Sequence, residues 1–213
     1  LAVYRARREL GSTFLQFLPI VRPTPDGLSA ESVGARAYGE FLCAVFDEWI
    51  RRDVGRRVVQ FFAETYRAWA GHRPALCALA ESCGNVLVVE HDGAVYACDH
   101  FVRDSHRLGT LDTAHLGTLA RSPAQLRFGQ QKRDSLPGRC RGCPWLFACG
   151  GGCPKDRLAV AGTGEPGLNV LCDGLRAFYE HADPLLRRMV ALGSRPSAIK
   201  EELRAAEQRR WRG

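Results

Sequence analysis

Two stretches of the chain repeat apolar side chains at the spacing of an amphipathic helix. In the first stretch the apolar residues recur at intervals of three and four, at Tyr38, Phe41, Leu42, Val45, Phe46, Trp49 and Ile50. The second stretch follows Gly55, stops before Gly71 and Pro74, and carries Val58, Val59, Phe62, Tyr66 and Trp69. This period places the apolar side chains on one face of each helix. Both stretches therefore predict helices that pack against a core.

Other stretches have the pattern of β-strands. Residues 13–21 form an apolar, aromatic-rich run that predicts a buried strand of the kind found in parallel sheets. Two short runs with several valines, 86–90 and 94–98, lie on either side of Asp92 and Gly93. An Asp-Gly pair supplies the positive φ that a tight hairpin turn needs. The sequence therefore predicts a hairpin in the middle of a mixed chain of helices and strands.

The last third of the chain has fewer regular signals. Ser122 and Pro123 match the N-cap and the first-turn proline of a short helix. The segment 136–153 is dense in glycine, proline and cysteine and has too few apolar residues to fold by burial alone. A final amphipathic helix is predicted from about Asp173 past Met189. Something other than hydrophobic packing must therefore organise the segment 136–153.

The composition is that of a globular protein with a core. Of the 213 residues, 46% are hydrophobic and 25% charged. The formal charge of +7 comes with arginine pairs such as Arg51-Arg52, which indicate solvated helix faces and not a nucleic-acid surface. The apolar runs are too short to span a bilayer, and the start lacks a signal-peptide pattern, so we expect a cytoplasmic protein with no membrane partner. Because the chain begins at Leu1 inside a predicted helix end, we expect a preceding segment.

Eight of the nine cysteines are grouped in the second half of the chain. Four form a C-x2-C-x5-C-x3-C run, and the full group is Cys77, Cys83, Cys98, Cys140, Cys143, Cys149, Cys153 and Cys172. In a reducing cytoplasm such a group indicates metal binding. Zinc sites usually pair two C-x2-C turns, whereas only one occurs here, so the uneven spacing favours iron-sulfur clusters and leaves zinc open. The ninth, Cys43, lies in a predicted helix, and we interpret it as a small buried apolar side chain.

Three groups of residues match the pattern of a known family. Around the predicted hairpin they are Cys83-Gly84, Val89-Glu90, Gly93, Val95-Tyr96, Cys98-Asp99-His100-Phe101-Val102 and Leu108-Gly109. Further on they are Phe128-Gly129, Lys132, Leu136-Pro137, the four-cysteine run, Gly151-Gly152-Cys153-Pro154-Lys155, Arg157, Leu168-Asn169 and Leu171-Cys172. Upstream they are Gln16-Phe17, Pro19, Val21, Tyr38-Gly39, Phe41-Leu42, Trp49 and Asp53-Val54-Gly55. In these residues the chain resembles the anaerobic sulfatase-maturating enzymes, radical SAM proteins with a SPASM domain, to about residue 190.

The resemblance implies two auxiliary [4Fe-4S] clusters. The first ligand set would be Cys77, Cys83, Cys98 and Cys153. The second ligand set would be Cys140, Cys143, Cys149 and Cys172. Since each cluster would have four cysteine ligands, neither is expected to bind substrate directly. The sets interleave along the chain, so cluster binding is expected to contribute folding free energy to the segment 136–153.

The resemblance also implies an architecture. Residues 1–71 are expected to form the end of a partial (β/α) radical SAM barrel and its connecting helices. Residues 72–192 are expected to form an α+β, cysteine-rich SPASM domain with a β-hairpin and flanking helices, and 193–213 a charged, frayed tail. The family's C-x3-C-x2-C loop does not occur in this sequence, so S-adenosylmethionine and a third [4Fe-4S] cluster are expected in a missing N-terminal part. Val21, at the carboxyl end of its strand, is expected near the S-adenosylmethionine.

The implied reaction is the oxidation of a Cys or Ser of a sulfatase polypeptide to formylglycine. In this family a radical derived from S-adenosylmethionine removes a hydrogen atom from Cβ, and a proton and a second electron follow. The auxiliary clusters would take up that electron, and a ferredoxin or flavodoxin would be the electron donor. The chain alone is expected to be inactive, because it lacks the C-x3-C-x2-C loop.

Asp99 is the candidate catalytic residue, because it resembles the family's general base. We expect strand alternation to turn its side chain away from Cys98 and toward the substrate, and nearby clusters to raise its pKa by like-charge repulsion. The alternative is an aspartate that caps a loop through backbone N–H groups. Two alternatives also exist for the whole protein, another SPASM enzyme that crosslinks a peptide and a zinc-stabilised binding module. The aspartate at position 99 favours a sulfatase-maturating enzyme over another SPASM enzyme.

Overall fold

The structure is a computed structural model that describes residues 1–193 and Glu201. Its helices are α1 (Ala2–Glu9), α2 (Ala35–Arg52), α3 (Gln60–Trp69), α4 (Leu116–Ala120), α5 (Pro123–Asp134), α6 (Gly138–Arg141), α7 (Leu146–Cys149) and α8 (Cys172–Ala191). Its strands are β1 (Phe14–Leu15), β2 (Pro23–Thr24), β3 (Gly27–Leu28), β4 (Val58–Val59), β5 (Val88–Val89), β6 (Ala94–Tyr96), β7 (Arg107–Thr110), β8 (Ala159–Val160) and β9 (Pro166–Leu168). Short 3-10 helices cover Asp99–Phe101, Asp104–His106 and Pro154–Asp156. The chain is therefore a mixed helix and sheet protein.

The chain forms two compact units. The first contains Leu1–Pro74 and the described residues from Leu171 onward, and the second contains Ala75–Val170. The sequence-based division placed 72–192 in one domain, whereas here α8 belongs to the first unit. The reason is that α8 packs on α2 and α3. Among the described residues, no helix has both the length and the apolar character needed to cross a bilayer.

The first unit is built on the contact between α2, α3 and α8. The ring of Phe178 on α8 lies 5.7 Å from Phe46 and 5.6 Å from Phe62, measured between centroids, and all three are fully buried. Such aromatic pairs add about 0.5–1.5 kcal/mol each to the free energy gained by burial. Gly39 and Gly174 let the backbones of α2 and α8 touch, because a Cβ on Gly39 would lie 2.7 Å from the Gly174 carbonyl oxygen. The predicted helices over Tyr38–Ile50 and from about 173 onward are thus both present and pack together.

The prediction of one buried strand over 13–21 was wrong. Strand β1 contains only two residues and pairs in parallel with β4, and Leu15 is 7% exposed while Phe14 is 60% exposed. A strand with a neighbour on one side buries alternate side chains, and among the described residues β4 is that one neighbour. Val58 and Val59 form β4, so the second helix begins at Gln60. Val21 is buried but lies beyond the end of β1 and not at its carboxyl end.

The second unit contains a three-stranded antiparallel sheet in the order β5-β6-β7. The turn between β5 and β6 holds Gly93 at φ 79°, and the Asp92 carboxylate accepts a hydrogen bond from the Ala94 N–H at 3.0 Å. Strand β7 was not predicted, because its sequence Arg-Leu-Gly-Thr contains a glycine, which is depleted in strands, and only one β-branched residue. Helix α5 begins as predicted, with the Ser122 hydroxyl accepting from the Gln125 N–H at 3.2 Å and Pro123 in the first turn. The predicted frayed tail lies outside the described residues, apart from Gly193 and Glu201.

Candidate metal centre

Seven of the eight grouped cysteines lie in the second unit, at the ends of its short elements or between them. Their positions are Cys77 and Cys83 before β5, Cys98 after β6, Cys140 in α6, Cys143 between α6 and α7, Cys149 at the end of α7 and Cys153 before a 3-10 helix. Cys172 is the first residue of α8, in the first unit. All nine cysteines are free thiols. Cys43 lies in α2 and is half-buried, so it is more accessible than we expected.

Helix α5 joins two of the cysteine segments through one side chain. The Gln125 amide donates to the carbonyl oxygen of Gly84 at 3.0 Å and to that of Ala97 at 3.1 Å. Those carbonyls belong to the residue after Cys83 and the residue before Cys98. Gln125 is 2% exposed, and its Oε1 has no donor among the described residues. The neutral amide therefore fixes both segments, because a buried donor is stable only when it is hydrogen-bonded.

A run of three glycines connects Cys149 to Cys153. Gly150, Gly151 and Gly152 have φ values of 54°, 74° and 70°, a left-handed conformation that side chains rarely adopt. A Cβ on Gly150 would lie 2.5 Å from the carbonyl oxygens of both Leu79 and Ala80. The backbone that carries Cys149 and Cys153 thus touches the backbone between Cys77 and Cys83. Glycine is required there for both reasons.

Two cationic side chains donate hydrogen bonds to the backbone carbonyl groups of these same cysteine-containing segments. The Lys132 ammonium of α5 donates to the carbonyl oxygens of Cys77 at 2.6 Å and Ala78 at 3.0 Å, and also to that of Ala80. The Arg157 guanidinium donates to the carbonyl oxygens of Gly150, Gly151, Gly152, Lys132 and to the Ser135 hydroxyl, at 2.6–3.5 Å. Burial lowers the pKa of both groups, while nearby cysteine thiolates raise it. Both positive charges therefore lie among the cysteine segments.

Burial also controls the protonation of the thiols. It raises the pKa of Cys98 to about 12, with a further rise from Asp99, and that of Cys153 to about 11. Burial likewise raises the pKa of Cys83 and Cys140. The thiolate is the form that binds metal, so each of these thiols must lose its proton before it can bind one.

The donor set fits iron-sulfur clusters. Within the part of the chain that the structure describes, no group of three or more His, Cys, Asp or Glu side chains could hold a single metal ion. A [4Fe-4S] cluster takes one thiolate at each of four iron corners. The free thiols and the cations Lys132 and Arg157 beside them match a centre with several thiolate ligands.

Asp99 does not point away from Cys98, as strand alternation had predicted. Its carboxylate accepts a hydrogen bond from the Cys98 thiol at 3.1 Å. The reason is that β6 ends at Tyr96, and Asp99 begins a 3-10 helix, where alternation no longer applies. Asp99 is exposed, and its pKa is lowered, first by the Cys98 thiol and also by the His100 backbone N–H. The predicted rise in its pKa concerns the protein with bound clusters and stays a prediction.

Sequence reasoning gave no role at this centre to Gln125, Lys132 and Arg157. A signal for the first two does exist, because Gln125, Gly129 and Lys132 are spaced four and three residues apart and are all buried on one face of α5. Polar residues at the positions of an apolar stripe mark a face that contacts something polar. Here that face contacts the carbonyl groups of the cysteine segments.

Comparison with known proteins gives a consistent picture. The SPASM domain, an iron-sulfur cluster-binding domain, matches residues 77–144. The serine-type anaerobic sulfatase-maturating enzyme of Bacteroides thetaiotaomicron is 38% identical over 199 residues, covering 86% of this chain and 48% of the relative. The cysteine-type enzyme of Clostridium perfringens (strain 13 / Type A) is 29% identical over 188 residues, covering 86% of this chain and 50% of the relative.

Solved structures agree with the sequence comparison. A structure of anSMEcpe with bound AdoMet has a TM-score of 0.78 and 28% identity, covering 89% of this chain and 52% of that one. A second structure, with bound AdoMet and the Cp18Cys peptide, also has a TM-score of 0.78. The chain spans about half the length of the curated relatives it matches. The chain thus matches the C-terminal portion of the anaerobic sulfatase-maturating enzymes, a radical SAM family, and carries an iron-sulfur SPASM domain.

Proposed function

We propose that this chain is the part of a sulfatase-maturating enzyme that holds two auxiliary [4Fe-4S] clusters beside a peptide site. The observation that carries the proposal is the 38% identity to a serine-type enzyme over 86% of the chain. The SPASM match over 77–144 and the eight grouped free cysteines support it. The activity is the oxidation of a sulfatase Ser or Cys to formylglycine, carried out together with a preceding radical SAM part.

The first proposed cluster is held by four cysteines of the second unit, Cys77, Cys83, Cys98 and Cys153. The backbone contact of the Gly150 segment with Leu79 and Ala80 supports this set, because it joins the segment before Cys153 to the loop between Cys77 and Cys83. The Gln125 bridge supports it as well, since it fixes the neighbours of Cys83 and Cys98.

The second proposed cluster is held by Cys140, Cys143, Cys149 and Cys172. The Cys143 N–H donates to the Cys140 carbonyl oxygen at 3.0 Å, so these two cysteines share one tight turn. Cys172 is the first residue of α8, a helix of 20 residues. The N-terminus of a helix favours a negatively charged thiolate.

Asp99 is the proposed general base. Bound clusters of this kind supply one-electron transfer, and the protein must supply an acceptor for the proton that leaves the substrate side chain. In the ligand-free chain one Asp99 oxygen accepts the Cys98 thiol proton. A Cys98 thiolate has no proton to donate, so cluster assembly leaves that exposed carboxylate oxygen available to the substrate hydroxyl or thiol.

The first unit supplies the proposed contact with the radical SAM part. The parallel pairing of β1 with β4 is the pairing found in a (β/α) barrel, and it supports the assignment of 1–71 to the end of that barrel. Val21, buried after β1, is the proposed contact to S-adenosylmethionine. That cofactor and a third [4Fe-4S] cluster belong to the preceding part, and a ferredoxin or flavodoxin is the proposed electron donor.

Identity to the relatives favours a serine substrate. Two serine-type relatives, from Bacteroides thetaiotaomicron and Klebsiella pneumoniae, are 38% and 34% identical. Two cysteine-type relatives, from Clostridium novyi and Clostridium perfringens, are 26% and 29% identical. Paired peptides that differ only in Ser or Cys at the modified position test this preference.

The deciding experiment has two parts. Anaerobic reconstitution of this chain should load about eight irons and eight sulfides, as two four-iron clusters require, and a colourless protein with stoichiometric zinc would instead support a zinc-stabilised module. An enzyme containing this chain and its radical SAM part should then convert the serine peptide to formylglycine, detected by mass spectrometry as the loss of two hydrogen atoms. A crosslinked peptide product would reassign the chain to another SPASM enzyme.

A further inference from the structure

Two cations of the second unit, one buried and one half-buried, have no carboxylate partner among the described residues. Lys132 is 1% exposed, and Arg157 is half-buried. Among the described residues, their side chains donate to backbone carbonyls and, for Arg157, to the Ser135 hydroxyl, and neither forms an ion pair with Asp or Glu. Burying a charge is unfavourable unless an opposite charge compensates it. The pair therefore indicates negative charge nearby.

The negative charge available at this place is cysteine thiolate. The cysteines that interact electrostatically with Lys132 are Cys77, Cys83 and Cys153. Those that interact with Arg157 are Cys83, Cys140, Cys149 and Cys153. Hydrogen bonds give the same positions: Lys132 donates to the carbonyl oxygen of Cys77, a member of the first proposed set. Arg157 donates to the glycine carbonyls between Cys149 of the second proposed set and Cys153 of the first.

A side chain does not need a charge to donate hydrogen bonds to the backbone carbonyl groups of the cysteine-containing segments. Gln125 shows this within the same helix, because its neutral amide donates to two loop carbonyls, those of Gly84 and Ala97. Lys132, on the same face of α5, performs a similar task with a full charge at a larger cost of desolvation. The charge itself must therefore contribute something that an amide cannot.

We propose that Lys132 and Arg157 are fixed counter-charges for the thiolate-ligated clusters and make them easier to reduce. The inference rests on the proposed function, because it requires clusters in the two ligand sets. Reduction adds one electron and no proton, so one further negative charge appears at the centre. A cation held a short distance away favours that reduced form. The electron comes from a ferredoxin or flavodoxin, or from dithionite in the test.

The test compares variants that remove a charge with variants that keep it, in the reconstituted chain. Arg157→Gln and Lys132→Met each remove one positive charge, whereas Arg157→Lys keeps the charge and loses the planar guanidinium. Arg127→Gln is the matched control, since Arg127 is an exposed cation on the same helix. Dithionite titration followed by electron paramagnetic resonance gives the midpoint potentials. We expect each charge-removing variant to lower the equilibrium constant for reduction at least tenfold, about 59 mV for one electron, and the other two to match the wild type.

Each outcome decides the inference. Unchanged potentials in Arg157→Gln and Lys132→Met overturn it, and so does an equal shift in Arg127→Gln. If a charge-removing variant loads no cluster, the result for Arg157→Lys is used instead. Clusters that load in Arg157→Lys with the wild-type potential support a counter-charge. Failure of Arg157→Lys to load clusters shows that the arginine side chain is needed only for its hydrogen bonds, and overturns the inference. A wild-type chain that binds no iron overturns the proposed function and this inference together, so the two failures are distinguishable.

Discussion

At the scale of single residues, the ionisable groups around the cysteines determine one another's protonation. Asp99 accepts the Cys98 thiol proton, and that contact lowers the pKa of Asp99 while it raises the pKa of Cys98. Because the thiol loses its proton when it binds metal, the same step removes the hydrogen bond from Asp99. The hydrogen bonding of Asp99, the proposed base, is therefore expected to change when the proposed cluster is assembled.

Asp99→Asn should lower formylglycine formation by about a hundredfold or more, the usual contribution of a general base. An asparagine cannot accept the substrate proton, but cluster loading and S-adenosylmethionine cleavage should continue. The measurement is made in an enzyme containing this chain and its radical SAM part, with iron content, 5'-deoxyadenosine and formylglycine determined separately. Asp104→Asn, an exposed acid at the start of the next 3-10 helix, is the control. Near-normal formylglycine in Asp99→Asn would instead favour a loop cap.

Cluster loading should fall steeply as pH decreases. The pKa values of about 12 for Cys98 and about 11 for Cys153 are raised, so the ligand-free site holds these protons tightly and protons compete with metal. For each thiol that must lose its proton to bind metal, lowering the pH by one unit weakens metal binding by about 1.4 kcal/mol. Iron content after equilibration between about pH 8.5 and 6.5 checks this. Asp99→Asn should move the half-loading point to lower pH, because the Asp99 charge raises the pKa of Cys98; an unmoved point would contradict that cause.

At the scale of elements, prediction worked where a sequence pattern had a local cause. The apolar spacing over Tyr38–Ile50 lies in α2, and α5 begins at Pro123 with Ser122 as its N-cap. It failed where tertiary pairing decides the conformation. Val58 and Val59 continue a helical pattern, yet they pair with β1 as β4. The polar face of α5 was missed because lysine and glutamine normally indicate solvent.

Gly174→Ala should destabilise the first unit by about 1–3 kcal/mol, the usual cost of overpacking. An added Cβ would overlap the Ala35 carbonyl oxygen and lie 3.0 Å from the Gly39 nitrogen, so α2 and α8 would have to separate. Thermal unfolding measures the effect. Gly162→Ala is the control, because a Cβ there meets nothing within 4 Å. Equal melting temperatures for both variants would show that the helices do not depend on this contact.

At the scale of the whole molecule, the cysteines and their resemblance to the family pattern predict two ligand sets, whereas the grouping of α8 with the first unit differs from the predicted 72–192 domain. Cysteine spacing is local information, whereas the assignment of α8 to the first unit depends on packing between distant residues such as Phe46 and Phe178. The two proposed ligand sets interleave along the chain, with Cys153 of the first set following Cys149 of the second. The glycine run between those two cysteines connects the two proposed sites directly.

Cys143→Ala should therefore affect both clusters, whereas Cys43→Ala should affect neither. Loss of the Cys143 ligand removes one cluster, and the segment that also carries Cys153 loses the folding free energy that metal binding supplies. Iron should fall from about eight to about four or fewer per chain, with a lower melting temperature. Cys43 lies in α2, in the first unit and outside both proposed sets, so its variant should keep wild-type iron content. Unchanged iron in Cys143→Ala would refute the interleaved sets, and loss of a cluster in Cys43→Ala would refute the division of the nine cysteines.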